Sequence, residues 1–320
     1  MDFLYFLEDI RNPVLDAFFS TVTHLGEETF FLVLAILFFW CVNKREGYYI
    51  LTVGLVGTVV NQVMKLAFRI PRPWVKDPGF TIVESARAEA TGYSFPSGHT
   101  QNVAGTFGSI ARYTASRVLR IVSITVVVLV SLSRMYLGVH TPLDVCVSLA
   151  IAAALTLLLY PIFKTEESFK RCMPFVVIGS VILSAFFVCY TLFIPTDGMN
   201  VQNLASGMKN AFTLLGCTAG LVVVYAVDTK YTNFDTCAPW YMQIVKLLLG
   251  LGVVLLIKSG LSSPLVSLFG NEYIARCVRY FLIVTFVGCI WPLTFKCFAK
   301  TRVAFMDRFT EKLIAKFDKK

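Results

Sequence analysis

Runs of close to 20 residues with one charge or none recur along this chain, and they restrict its fold more than any other feature. A helix needs about 20 apolar residues to cross the roughly 30 Å hydrocarbon core of a bilayer. Of the 320 residues, 56% are hydrophobic and 15% charged, more apolar surface than a water-exposed domain can hide. A spanning backbone must satisfy its own hydrogen bonds, and no alternating strand pattern for a closed barrel appears. The expected fold is therefore all-α, a polytopic transmembrane bundle of about nine spans. They are placed at 27–42, 48–68, 97–114, 117–138, 142–163, 173–194, 207–227, 241–258 and 274–297. Ahead of them, residues 1–22 set Phe3, Leu4, Phe6 and Leu7 against Glu8, Asp9 and Arg11 and break at Pro13. That is the pattern of an amphipathic helix lying in the membrane interface.

The net charge of +9 is concentrated: Lys296, Lys300, Arg302, Arg308, Lys312, Lys316, Lys319 and Lys320 follow the last apolar run. A basic tail beside a span fits a cytoplasmic segment near anionic lipid and argues against a nucleic-acid partner. Loops with Lys44 and Arg45, with Arg112, Arg117 and Arg120, and with Lys164, Lys170 and Arg171 alternate with loops poorer in cations. The positive-inside rule then puts the C-terminus in the cytoplasm. The nine cysteines are scattered through apolar runs without a ligand rhythm, as small buried hydrophobes. No cleavable signal peptide is apparent at the N-terminus. The expected organisation is an interfacial segment at 1–26, a core at 27–171, an additional bundle at 172–298 and a basic tail at 299–320.

Three polar clusters interrupt this apolar chain, and all three fall at span ends on the expected exoplasmic face. Lys65 and Arg72 are separated by two helical turns, but Pro71 and Pro73 stop the helix, leaving Arg72 in extended chain. An ammonium and a forked guanidinium match phosphate oxygens, although cations at span ends also snorkel. Pro96-Ser97-Gly98-His99 reads as a turn entering a helix, with Ser97 as N-cap and free amides forming an anion site. There His99 is placed to exchange a proton with a phosphoester oxygen, or is simply a wet interfacial histidine. Ser133-Arg134 is followed by His140 and Asp144. Thr141, Pro142 and Asp144 have the order of a capped helix start, so Asp144 is either a cap partner only or also the acceptor for one His140 nitrogen. The second role leaves the other nitrogen free to attack phosphorus, with Arg134 adding charge to the equatorial oxygens. Residues 74–95 form a long loop carrying Trp74, Glu84, Arg87 and Glu89, a lid or a plain surface loop. The third histidine, His24, has no partner pattern near it in the sequence.

Together these clusters, Lys-x6-Arg-Pro, Pro-Ser-Gly-His and Ser-Arg-x5-His-x3-Asp, closely resemble the signature of the type 2 phosphatidic acid phosphatases, the lipid phosphate phosphatases. The match covers about residues 60–150. By that resemblance Lys65, Arg72, Ser97, Gly98 and Arg134 bind phosphate, and His140 is the nucleophile that forms a phosphohistidine. Asp144 orients it and His99 protonates the leaving oxygen. The resemblance implies a metal-independent enzyme without a cofactor, and the sequence shows no metal-ligand cluster. Its membrane enzymes usually have six spans, so those after residue 172 are a departure; nine spans with these motifs also resemble glucose-6-phosphatases. The expected activity is hydrolysis of a lipid phosphate, such as a polyprenyl diphosphate, phosphatidate or phosphatidylglycerol phosphate. The expected setting is a bacterial plasma membrane, with the site facing out and lipids as partners. The alternatives are a phosphotransferase to a lipid or sugar acceptor, a sugar phosphatase, or a non-catalytic lipid transporter. Oligomeric state is not legible.

Overall fold

The apolar runs become helices because only helices close every backbone hydrogen bond within one segment. The computed structural model describes residues 1–308 and residue 310; Lys312, Lys316, Lys319 and Lys320 of the expected basic tail lie outside the described residues. Helices α1 (Asp2–Asp9), α2 (Pro13–Thr23) and α3 (Glu28–Leu37) lead into the long α4 (Lys44–Phe68) and the single turn α5 (Pro73–Lys76). Then come α6 (Gly98–Tyr113), α7 (Arg117–Tyr136), α8 (Pro142–Lys164) and α9 (Glu166–Phe193). The second half holds α10 (Val201–Val227), α11 (Trp240–Gly260), α12 (Ser262–Phe269), α13 (Glu272–Thr285) and α14 (Phe295–Lys300).

Among the described residues, seven helical stretches are long and apolar enough to cross a membrane. They correspond to seven of the nine expected spans, and the other two differ for physical reasons. Residues 28–42 pass only together with 13–26, as a pair bent by 53°. The expected interfacial helix is accordingly cut in two where Pro13 follows Asn12, whose side chain caps α2 through Val14 N (3.1 Å) and Leu15 N (3.0 Å). The stretch expected at 97–114 is α6, 16 residues and about 24 Å long. It packs between α4, α7 and α8 and buries Thr100, Gln101, Thr106 and Ser109. A helix clad in protein is not obliged to be apolar, so it fails a hydropathy test that its neighbours pass.

Helix α4 is the axis. It packs against α3, α6, α8, α9 and α10, and one continuous apolar cluster runs from Tyr48, Tyr49 and Leu66 on α4 to Leu214 and Leu221 on α10 and Tyr280 on α13. The end of α4, the start of α6, the end of α7 and the start of α8 gather at one end of this bundle. The basic residues Lys44, Arg45, Arg112, Arg117, Arg120 and Lys164 gather at the other.

Candidate active site

Helix α4 stops at Arg69, which takes the left-handed conformation (φ 52°) two residues before Pro71. Lys65 occupies its last turn and is 6% exposed; its Nζ donates to Tyr93 O (2.5 Å) and Ser94 O (3.3 Å). Arg72 lies beyond the helix in extended backbone, as the two prolines predict, and is also 6% exposed. Its guanidinium grips three carbonyls, Gly92 O at 3.2 Å, Thr91 O at 2.8 Å and Val139 O at 3.0 Å. Its Nη1 also lies 2.9 Å from His140 Nε2.

His140 is delivered by a turn that only glycine permits. Gly138 sits at φ +80°, and a Cβ there would come within 2.8 Å of Arg11 Nη2. The turn lets both Val139 N and His140 N donate to Arg134 O at 3.2 Å. A guanidinium can only donate, so His140 Nε2 is the acceptor and carries no proton. The ring proton is then on Nδ1, facing Asp144 Oδ2 at 3.4 Å. That same carboxylate oxygen accepts from Thr141 N (2.8 Å) and from Ser94 Oγ (2.7 Å), while Thr141 Oγ1 accepts from Asp144 N (3.3 Å). The two sequence alternatives for Asp144 therefore coexist: it completes the capping box of α8 and backs the imidazole.

Ser97 caps α6, with its Oγ accepting from Thr100 N, and its backbone joins this cluster. Ser97 N donates to Asp144 O (3.2 Å), and Ser97 O accepts from Ser148 Oγ (2.8 Å) and Asn61 Nδ2 (3.3 Å). Gly98 and His99 open the helix beside it. His99 Nε2 lies 3.4 Å from Glu89 Oε2, an ion-pair distance without the alignment of a hydrogen bond. Arg134, 1% exposed near the end of α7, donates from Nη1 to Thr23 Oγ1 (2.7 Å), and its Nε is buried without a partner among the described residues. All eight expected site residues thus meet at one end of the bundle.

The charge balance is uneven. Lys65, Arg72 and Arg134 are buried, and among the described residues none of them pairs with a carboxylate; carbonyls, His140 and one hydroxyl face them instead. One buried carboxylate, Asp144, stands against these three cations. A buried charge without a counter-charge costs several kcal/mol, so the arrangement favours a multiply charged anion. Burial, then Arg72, Lys65, Arg134 and His99, hold His140 well below the usual histidine value, which keeps the imidazole neutral. Glu89, in the loop, is pushed down to about 2, chiefly by the His99 imidazole beside it.

Ser94 and Thr23 are partners that the sequence did not single out, and Glu89, which the sequence placed only in the 74–95 loop, stands beside His99. His24 also differs from expectation. It is not isolated, since its Nδ1 contacts Glu27 Oε1 and lies 3.7 Å from Glu89 Oε1. The ligand atoms of His24, Glu27 and Glu89 lie within 4.8 Å of one another, a grouping able to hold a cation that the sequence did not suggest. The loop at 74–95 is not a free lid, because its residues 91–94 are clamped by Arg72 and Lys65.

Residues 45–168 match the PAP2 superfamily, and residues 212–302 match the transmembrane extension of PAP2 superfamily phosphatases. The chain belongs to the PAP2 superfamily. Among curated proteins it is 30% identical over 159 residues to a probable sphingosine-1-phosphate phosphatase of Dictyostelium discoideum, covering 46% of this chain and 38% of that protein. It is 26% identical to human sphingosine-1-phosphate phosphatase 2, over 62% of this chain and 51% of that one. The chain thus spans about half or less of the length of these two relatives. Phosphatidylglycerophosphatase B of Bacillus subtilis is matched at 29% identity over 51% of this chain and 80% of that protein. The crystal structure of Aquifex aeolicus LpxE superposes with a TM-score of 0.45 at 22% identity, over 50% of this chain and 93% of that one, too loosely to argue from.

Proposed function

We propose that this protein is a membrane phosphatase that removes phosphate from a lipid phosphomonoester through a covalent intermediate on His140. The observation that carries the reading is the unprotonated His140 Nε2, set 2.9 Å from Arg72 among three buried cations and backed by Asp144. Lys65, Arg72 and Arg134 hold the phosphate dianion, with the amides at the start of α6 beside them. The Nε2 lone pair attacks phosphorus, and the bond to the lipid oxygen breaks. His99 gives that oxygen its proton, while Asp144 stabilises the positive charge that builds on His140. Water then attacks phosphorus, His99 takes its proton, the phosphorus–Nε2 bond breaks, and phosphate leaves. The lipid-phosphate class is supported by the relatives, whose names specify sphingosine-1-phosphate and phosphatidylglycerophosphate. The cluster of basic residues at the opposite end of α4, α6, α7 and α8 supports a site facing the exoplasmic side.

The test is inorganic phosphate release by purified protein. H140A is expected to abolish it and H99A to slow it by about 10²–10⁴-fold, the usual worth of a general acid. Wild-type rates in either variant would overturn the reading.

A further inference from the structure

A groove of about 760 Å³ opens beside the candidate active site, between the loop that follows α4 and the start of α10. Arg72, Trp74 and Tyr93 line it from the loop that follows α4, and Asn200, Asn203, Ser206 and Lys209 line it from the start of α10. Because Arg72 also touches His140 Nε2 at 2.9 Å, a molecule whose phosphate is held by Arg72 extends naturally into this space. A second, small cavity of about 30 Å³ is lined by Lys65, Tyr93, Asn203 and Ser206, so the same two α10 side chains also approach the other cation of the first cluster.

The start of α10 is bolted in place. Arg69 donates to Pro195 O (2.7 Å) and Asp197 O (3.2 Å), and Asn200 N donates to Tyr93 Oη (3.3 Å). Gly207 permits the close approach, since a Cβ there would fall 2.8 Å from Leu66 Cδ1, one residue from Lys65. Asn203, Ser206 and Asn210 share one face of this helix. Polar side chains facing inward on a membrane helix serve either as glue between helices or as ligand contacts. Here none of the three side chains hydrogen-bonds another described residue, and none is among the fully buried unpartnered groups. Glue would be bonded across to α4; of these groups, Asn203 and Ser206 line the groove.

We infer that Asn203 and Ser206 are specificity-determining residues, which hydrogen-bond hydroxyl or amino groups on the lipid next to the phosphate. The start of α10 thereby selects a polar-headed lipid phosphomonoester over a plain alkyl or polyprenyl phosphate. This rests on the phosphatase reading. Its experiment measures kcat/KM of the purified full-length protein on sphingosine 1-phosphate, on an unbranched alkyl phosphate of equal chain length and on farnesyl phosphate. The wild type is expected to prefer the first. N203A and S206A each reduce that preference about fivefold, the factor for a neutral hydrogen bond worth ~1 kcal/mol. Monodispersity and melting temperature establish that each variant folds, and because the effect is a ratio between substrates, a uniform loss of active protein leaves it unchanged. A preference unaltered in both variants, or a wild type that favours farnesyl or alkyl phosphate, overturns the inference and leaves the phosphatase reading intact. A wild type that hydrolyses none of the three, and no other phosphomonoester, overturns both.

Discussion

Asp144→Asn is the substitution for which the geometry makes the sharpest demand. The side chain keeps its shape, and its oxygen still accepts from Thr141 N, where Asp144 Oδ2 now does so at 2.8 Å. The same position accepts from Ser94 Oγ (2.7 Å) and faces the His140 Nδ1 proton at 3.4 Å, so the amide oxygen takes it and the NH2 group falls at the Oδ1 position. The tautomer with a free Nε2 lone pair is retained, and what is lost is the negative charge behind the imidazole. That charge matters when Nε2 bonds phosphorus and the ring becomes positive. Exchanging a hydrogen bond to a charged group, worth about 1.5–3 kcal/mol, for a neutral one of about 0.5–1.5 kcal/mol loses roughly 1–2 kcal/mol. With each 1.36 kcal/mol worth a factor of ten, the loss reduces kcat by about 5- to 30-fold. KM should move less than about threefold, because Lys65, Arg72 and Arg134 remain. The assay is phosphate release over a substrate series, with a thermal melt to confirm folding. A folded Asp144→Asn protein with kcat within twofold of wild type would refute the role of Asp144.

Ser94→Ala removes the 2.7 Å bond to the same carboxylate oxygen and is expected to lower kcat roughly 10- to 100-fold in steady-state assays, a bond to a charged group being worth about 1.5–3 kcal/mol. Because burial and the surrounding cations hold His140 below its ordinary value of about 6.5, the nucleophile stays neutral as the pH falls through that value; the acid limb of kcat/KM should therefore lie below pH ~6.5, as a pH–rate profile will show. Burial and then Arg134 hold His99 below the ordinary histidine value, and the negative charge of Glu89 opposes them, so Glu89→Gln should move the alkaline limb of kcat to lower pH. The folded-state value of about 2 for Glu89 lies below the ordinary carboxylate value of about 4.3, so its contribution to stability is present above pH ~4.3 and fades as the pH falls toward 2. The difference in melting temperature between wild type and Glu89→Gln should narrow over that window.

The chemistry-bearing residues were legible because each cluster is short and sits where an apolar run ends. Pro71 and Pro73 announce the extended backbone at Arg72, and Thr141-Pro142 announces the helix whose first turn carries Asp144. Their partners were not legible. Ser94 and Glu89 belong to a loop without periodicity, and Ser94 meets Asp144 across 50 residues of chain. Thr23 supports Arg134 from a helix on the far side of two loops, at a separation of 111 residues. Helix α6 was foreseen as a span, yet its polarity follows from its enclosure by α4, α7 and α8, which only packing reveals. The bend between α2 and α3 depends on how the two helices seat against α6 and α7, and His24 gains its acidic neighbours only through that seating.

The most direct test is to trap the intermediate. Purified protein mixed with a 32P-labelled lipid phosphate and quenched within one turnover should carry the label on the peptide containing His140, stable in alkali and lost in acid. The label should be absent from His140→Ala. Label on another residue, or undiminished phosphate release by the His140→Ala protein, would contradict the account.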